Sequence, residues 1–357
     1  MKIGLLFGGR SYEHDISIIT AVETAAALSV SHEVIPIYAA DGCFYRIKGK
    51  LEIAPFANGT VHKKKVSFFS EKGKSGIKSA AKKTPLDCVV CCCHGGEGEN
   101  GEFSALLDVF DFAYTASDPL SSALSMNKKY SKLLFKHCGF ESPAAVFAFR
   151  GEDAIERAAT LSYPLIVKPC SLGSSLGVGV AHNEIELIEK VAVAFEFDEE
   201  ILIEEVVESP VELNCAAFRK GGEIFLSAVE RPITLNEILT FRDKYEGGKY
   251  KGSGQNFVGG ELRERVRAAT KQIYKAFGLF GVARVDFLYD EKKDVLFVNE
   301  INSQPGSLAY YLFEEEGILF PALLDGCIEE AIRRRKEKGI IKFNSGVLDN
   351  LSVKTVK

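Results

Sequence analysis

Arg284-Val-Asp286-Phe and Asn299-Glu300-Ile-Asn302 each carry polar groups two residues apart. On a β-strand that spacing sends both side chains of a pair to one face. Residues 282–290 and 295–302 are β-branched and aromatic runs joined by the short polar link Glu291-Lys-Lys-Asp294, which predicts a hairpin with Asp286 opposite position 299 or 300. One arginine, two carboxylates and an amide then converge, with Pro305-Gly306 turning the chain behind them. Hard oxygen donors from Asp286, Glu300 and Asn302 suit Mg²⁺, which takes a few carboxylates together with phosphates and water. The competing reading is a salt bridge or a solvated face. Against it, Val285, Phe287, Phe297 and Ile301 predict that the other side of the hairpin is buried, and a polar cluster on a covered sheet needs a reason.

A second stretch, Tyr163-Pro-Leu-Ile-Val-Lys168-Pro-Cys-Ser-Leu-Gly173-Ser174-Ser175-Leu-Gly177-Val-Gly179, reads as a strand ending in lysine followed by a Gly/Ser loop. Glycines allow the backbone close to a phosphate, hydroxyls and loop N–H groups donate to its oxygens, and the lysine adds charge. The lysine precedes the glycines, so this is not a Walker loop; it reads as a glycine hairpin over a triphosphate or, alternatively, as an ordinary turn. Further on, Glu199-Glu-Ile-Leu-Ile-Glu204-Glu-Val-Val and Pro210-Val-Glu212 read as an apolar strand flanked by acids. It could pass an adenine and offer a glutamate to ribose hydroxyls, or be a plain edge strand.

The elements that must position these groups follow from periodicity. Strand 2–7, helix 16–28, strand 33–38, strand 86–93 and helix 102–109 predict a parallel α/β unit over 1–119, interrupted at 45–84 by a lysine-rich stretch read as a surface hairpin or loop, with a nucleic-acid patch as the alternative. A helix near 127–138, strands 144–149 and 164–168, helix 183–194 and strand 201–206 predict a small α+β unit over 120–209. The third unit, 210–345, holds a polar loop at 234–259, helix 260–277, the acidic hairpin and helix 321–338; a tail occupies 346–357. A loop of that length without periodicity reads as a lid or as disorder.

A chain of 357 residues with net charge −5 suggests two or three compact units and does not imply a nucleic-acid or membrane-surface partner. The start Met1-Lys-Ile-Gly-Leu-Leu-Phe reads as a first strand rather than a signal peptide, and no apolar run is long enough to span a bilayer, so a cytoplasmic protein is expected. Among nine cysteines, Cys88-Val-Val-Cys91 forms a CxxC beside Cys92, Cys93 and His94. Redox CxxC motifs open a helix whereas this one lies within a strand, so small apolar filling is the expected role.

In order, the motifs Gly8-Gly9-Arg-Ser-Tyr-Glu13-His-Asp-Ile-Ser17, His94-Gly-Gly-Glu-Gly98-Glu99-Asn-Gly101, Tyr114-Thr, Ser122-Ala-Leu-Ser-Met126-Asn-Lys128, Lys168-Pro with Gly173-Ser174-Ser175, Asp243-Lys244-Tyr245, Arg284-Val-Asp286 and Asn299-Glu300-Ile-Asn302 make the chain resemble the ATP-grasp superfamily, and within it the D-alanine:D-alanine ligases, from Met1 to about residue 330. The resemblance implies an α/β and α+β fold, with an N-terminal Rossmann-like parallel domain and two α+β domains clasping ATP. It implies ATP-dependent ligation of two D-alanines through an acyl phosphate, for cell-wall precursors. By the same resemblance, Lys128 and Lys168 contact the α and β phosphates, Ser174 and Ser175 lie in the phosphate loop, Glu204 and Glu212 bind the adenosine, and Lys244 reaches the γ-phosphate. Asp286, Glu300 and Asn302 hold two Mg²⁺ ions, with Mn²⁺ as a substitute. Arg284 and the Gly306 N–H stabilise the tetrahedral intermediate. Glu13 holds the first substrate's ammonium with His94 beside it, Ser174, Tyr245 and Glu212 form a hydrogen-bonded trio, and Tyr311 and Leu312 stand at the second substrate. The resemblance also allows a homodimer.

Departures bear on substrate choice. Asn100 stands where the family usually has aspartate, Ser104 where it often has glutamine, and Tyr311 where it has a small hydroxyl, so a reshaped second pocket is expected. Tyr245 favours an amine over a hydroxy-acid nucleophile. The alternatives are a ligase with a different second amino acid and a non-catalytic nucleotide-binding regulator.

Overall fold

The computed structural model describes residues 1–232 and 256–338, so Lys244, Tyr245, most of the expected lid and the expected tail lie outside the described residues. Three sheets organise the rest. In the first, strand Lys2–Gly8 lies between Glu33–Ala40 and Cys88–Cys91, parallel to both. Burial on both faces explains the apolar content of these strands.

The stretch expected as an interruption at 45–84 extends this same sheet. Strands Cys43–Ile47, Lys63–Glu71, Lys74–Ser79 and Lys82–Pro85 add to it in antiparallel succession, giving seven strands. Val66 and Phe68, two apart on Lys63–Glu71, turn inward, and Lys63, Lys64 and Lys65 ahead of them face solvent.

The second sheet holds Ala145–Phe149, Leu165–Pro169, Gly179–Ala181 and Glu200–Glu205, with antiparallel pairing throughout. The expected glycine loop joins Leu165–Pro169 to Gly179–Ala181, as the turn of a hairpin. In the third sheet, Val211–Lys220 pairs on one side with Glu223–Arg231 and on the other with Ala283–Asp290, which pairs with Val295–Asn302. Gly221 and Gly222, both at positive φ, make the two-residue turn between the first two of these strands.

The predicted hairpin register holds: Asp286 lies opposite Glu300, and Arg284 opposite Asn302. One expectation fails. A bulge at Asn299 shifts the phase, so that Phe287 pairs with Val298 and it is Val298, not Phe297, that packs into the core with Ile301.

Helix Phe320–Glu337, expected to close the third unit, packs on Ala216 and Phe218 of the third sheet and also against the first sheet. Leu324, Cys327 and Ile328 share a core with Ile3, Leu5, Cys88 and Val90. Its His32–Asp325 contact of 2.7 Å ties the same surfaces together. Cys88, Cys91, Cys92 and Cys93 are buried as free thiols, and burial pushes Cys91 up to about 12, which suits apolar filling and not redox chemistry. No described helix is long and apolar enough to cross a membrane.

Candidate active site

The third sheet builds the site as a row. Glu230 pairs with Asn214, Asn214 with Asp286, and Asp286 with Glu300, so four polar residues line up across four adjacent strands on one face. Beside this row Arg284 grips Asp286 with both arms of its guanidinium, Nε to Oδ1 at 2.6 Å and Nη2 to Oδ2 at 2.8 Å. Asn302 Nδ2 donates to the same Oδ2 at 2.9 Å. The arginine therefore offsets the repulsion expected between two carboxylates placed directly opposite each other.

Directly behind, Ser307, Leu308 and Ala309 all adopt left-handed backbone with φ of 51°, 51° and 46°. Such residues cost on the order of 1–3 kcal/mol each and persist only where surrounding contacts impose them. Here the imposing contacts come from the first sheet's loops. The Ser307 N–H donates to Thr20 Oγ1 at 3.0 Å, and Thr20 Oγ1 lies 2.8 Å from His94 Nε2. His94 Nδ1 donates to the Gln304 carbonyl at 2.7 Å. Burial, outweighing nearby Glu13, lowers the histidine's pKa and favours the neutral imidazole, in which Nδ1 donates to the carbonyl and Nε2 accepts from Thr20. His94 thus holds the Gln304–Ser307 turn in place.

The second sheet meets this site through Lys168. Its Nζ donates to Glu204 Oε1 at 2.5 Å and to Asn299 Oδ1, the bulged residue of the hairpin, at 3.4 Å. Lys132 Nζ approaches the other oxygen of Glu204 at 2.6 Å. Burial alone would raise the Glu204 pKa, but the two ammonium groups overcome it and hold it down at about 2. The resemblance gives Glu204 to the adenosine; in the fold its carboxylate orients two lysines. Glu212 opens strand Val211–Lys220 on the face that also carries Asn214.

Lys128 begins helix Lys128–His137, whose start is fixed by the Asn127 side chain accepting from the N–H groups of Lys129 and Tyr130 at 3.0 and 3.2 Å. From there its Nζ reaches the Leu172 carbonyl in the glycine loop at 2.5 Å, which separates it from an ordinary surface lysine. Ser174 and Ser175 take φ of 55° and 57°, and Ser174 Oγ donates to Glu13 Oε1. Glu13 precedes helix His14–Leu28 and makes no side-chain cap to it. Arg10, Tyr12, Glu13, Gly95, Met126 and Ser174 line a cavity of about 330 Å³ between the loops of the first two sheets.

Glu99 is a candidate that motif reading passed over. It is buried, accepts from the Gly95 N–H at 3.1 Å, and lies 3.9 Å from His94 Nδ1. Burial, with the charge of Glu13, pushes its pKa up to about 8. The sequence signal was an acid inside the glycine-rich turn 94–101, and the shift itself comes from burial and the charge of Glu13 in the folded chain. Since the folded value lies above the ordinary carboxylate range, the stability held by the protonated acid is complete below that range and is lost as pH rises through about 8. The urea midpoint of the wild type should fall between about pH 5 and about pH 9, and Glu99→Gln should flatten that fall. Equal slopes would mean that Glu99 does not titrate there.

Among the departures, Asn100 bonds locally to Glu102, and Ser104 donates to the Ser117 carbonyl at 2.7 Å. Tyr311 Oη donates to Glu230 Oε2 at 3.1 Å, joining the phenol to the polar row. Burial raises the pKa of both groups. Leu312 is fully buried with Leu308 and Phe313, so its side chain packs the turn down and does not line an opening.

Among the described residues no three His, Cys, Asp or Glu side chains form a metal cage. Asp286, Glu300 and Asn302 instead offer two carboxylates and an amide, a donor set that fits a hard cation completing its shell with water and phosphate.

Comparison with known proteins gives one answer. A family model of the D-ala D-ala ligase N-terminus matches residues 2–117, and one of the D-ala D-ala ligase C-terminus matches residues 142–329. A D-alanine–D-alanine ligase of Thermosipho melanesiensis is 31% identical over 98% of each chain. Among solved structures, a D-Ala:D-Ser ligase from Enterococcus faecalis superposes with a TM-score of 0.80 at 26% identity, covering 92% of this chain and 99% of that one. A D-alanine–D-alanine ligase from Bacillus anthracis complexed with ATP gives a TM-score of 0.70 at 27% identity, covering 95% and 100%.

Proposed function

The chain belongs to the D-alanine–D-alanine ligase family, and from that premise we propose that it couples cleavage of ATP to formation of D-alanyl-D-alanine for peptidoglycan precursors. The observation that carries this reading is the reach of Lys168 from the glycine-loop sheet to Asn299 of the Arg284/Asp286 hairpin. It supports a phosphate-binding role for Lys168 and an acyl-stabilising role for Arg284 in one cleft.

In the first step the γ-phosphoryl group passes to the carboxylate of one D-alanine, giving an acyl phosphate and ADP. In the second, the amine of another D-alanine, having lost a proton from its ammonium form, attacks the acyl carbon, and phosphate leaves with the C–O bonding pair. Both steps develop negative charge that prearranged positive groups must meet. Lys128 and Lys168 take the α and β phosphates, and Ser174 and Ser175 close over them. Glu204 acts through Lys168, which leaves Glu212 for the ribose hydroxyls. The expected γ-phosphate role of Lys244 and the place of Tyr245 beside Ser174 and Glu212 lie outside the described residues.

Asp286, Glu300 and Asn302 would hold magnesium, which supplies neutralisation of phosphate charge when bound. Glu13 receives the first substrate's ammonium, while His94 keeps the Gln304–Ser307 turn rigid so that the Gly306 N–H and Arg284 point at the developing oxyanion. The direct test is ADP release across D- and L-amino acids offered singly and in pairs, with product masses read in parallel. D-alanine-dependent turnover to the D-alanyl dipeptide supports the proposal; ATP binding with no turnover for any pair would favour a regulator.

A second reading, ligation of D-alanine to a more polar second amino acid, is favoured by the Tyr311–Glu230 pair, which sets a hydroxyl and an acid beside Arg284. Tyr311→Ser should change the relative kcat/KM for D-alanine and D-serine as second substrate by about tenfold, with the KM for ATP unchanged. A uniform loss for every second substrate would remove Tyr311 from that choice.

A further inference from the structure

The lysine-rich stretch has no part in the ligation site. Residues 46–85 carry eleven Lys and Arg against two Glu, in a chain whose net charge is −5. A charge block of this kind is usually a solvated face, but this one surrounds a cavity of about 420 Å³ on the first sheet. Arg46 pairs directly with Lys64 across one strand boundary, and Ser79 with Lys82 across another, so the three cations come from three of four successive antiparallel strands. Lys48 closes the rim, and Ser79 and Thr84 line the walls, the Ser79 hydroxyl donating to the Lys65 carbonyl at 3.1 Å.

No carboxylate lines the cavity, and Arg46, Lys48, Lys64 and Lys82 have no ion-pair partner among the described residues. By contrast, Lys50 and Lys83 nearby are paired with Glu52 and Glu71. Gathering four like charges around one hollow is unfavourable unless an anion offsets them. Val34, Val66 and Ile77 add apolar wall, which a bare inorganic ion would not use. The hollow lies toward the start of strand Glu33–Ala40, whereas the catalytic loops leave near Ala39, whose carbonyl receives the Gly9 N–H. It is therefore a separate place on the molecule.

We propose that this outer cleft binds a small organic anion bearing two or more phosphate or carboxylate groups. The volume falls in the range of small-molecule sites, and the concave form favours a compact ligand over the extended stripe that a nucleic acid needs.

Calorimetric titration of the full chain tests this with fructose 1,6-bisphosphate, citrate and a single-stranded DNA oligonucleotide as probes. Saturable one-to-one binding of the bisphosphate or of citrate is expected, and which of them binds tells phosphate from carboxylate recognition. Arg46→Gln/Lys64→Gln should weaken it about tenfold while ligase turnover is retained. Lys72→Gln/Lys74→Gln removes the same charge from the hairpin turn outside the cleft and should leave binding unchanged. The single variant Lys82→Gln, at an exposed position, gives a second reading if the first double variant melts early. The proposal fails if neither small anion binds, if the two double variants weaken binding equally, or if only the oligonucleotide binds.

Discussion

Arg284→Ala is expected to lower kcat by about a hundredfold to a thousandfold with little change in the KM for ATP. Loss of one preorganised donor aimed at a developing oxyanion has an effect of that size, and the group is needed only after ATP is bound. The same change removes both hydrogen bonds to Asp286 and leaves that carboxylate opposite Glu300 without its cation. A divalent cation should then stabilise the variant more than the parent. Thermal melts with and without Mg²⁺ should show a larger metal-dependent rise in Tm for Arg284→Ala. Arg284→Lys should recover little activity, because an ammonium cannot reproduce the fork. Turnover of Arg284→Ala within tenfold of the parent would take Arg284 out of the chemistry.

Glu204→Gln should destabilise the protein by about 3–5 kcal/mol, because it removes the charge that, among the described residues, compensates two lysines in a buried ion triad. Urea unfolding reads the loss directly. The pH dependence has a definite sign. The folded pKa is depressed to about 2, so the carboxylate's contribution is present above the ordinary carboxylate range and is lost as pH falls through that range toward about 2. The stability difference between parent and variant should therefore shrink on acidification. If instead Glu204 served chiefly to bind adenosine, the variant would keep its urea midpoint and lose ATP affinity alone.

Much of the site was legible before any coordinates. Two-residue spacing and a short polar link were enough to put Asp286 opposite position 299 or 300, because alternation and turn length constrain register, and the fold selects Glu300. The bulge at Asn299 was not legible. It leaves the alternation of residues 295–302 ambiguous, and its consequence, Val298 rather than Phe297 in the core, depends on the partner strand. The strand at 63–71 carries an inward Val66 and Phe68 that alternation could have found, but its lysines masked the signal, and attachment to the first sheet depends on an edge distant in sequence.

The sequence by itself determined the order of motifs, and with it the ligase family, the glycine hairpin and the residue types able to meet phosphate and oxyanion charge. Those are properties of spacing and side-chain chemistry, which local structure carries. Only the tertiary structure decided that Glu204 faces two lysines, that Glu99 is buried enough to hold its proton, that His94 braces a left-handed turn and that Tyr311 meets Glu230. Each of these depends on burial or on a contact between residues far apart in the chain, and desolvation and long-range pairing exist only once the sheets have come together.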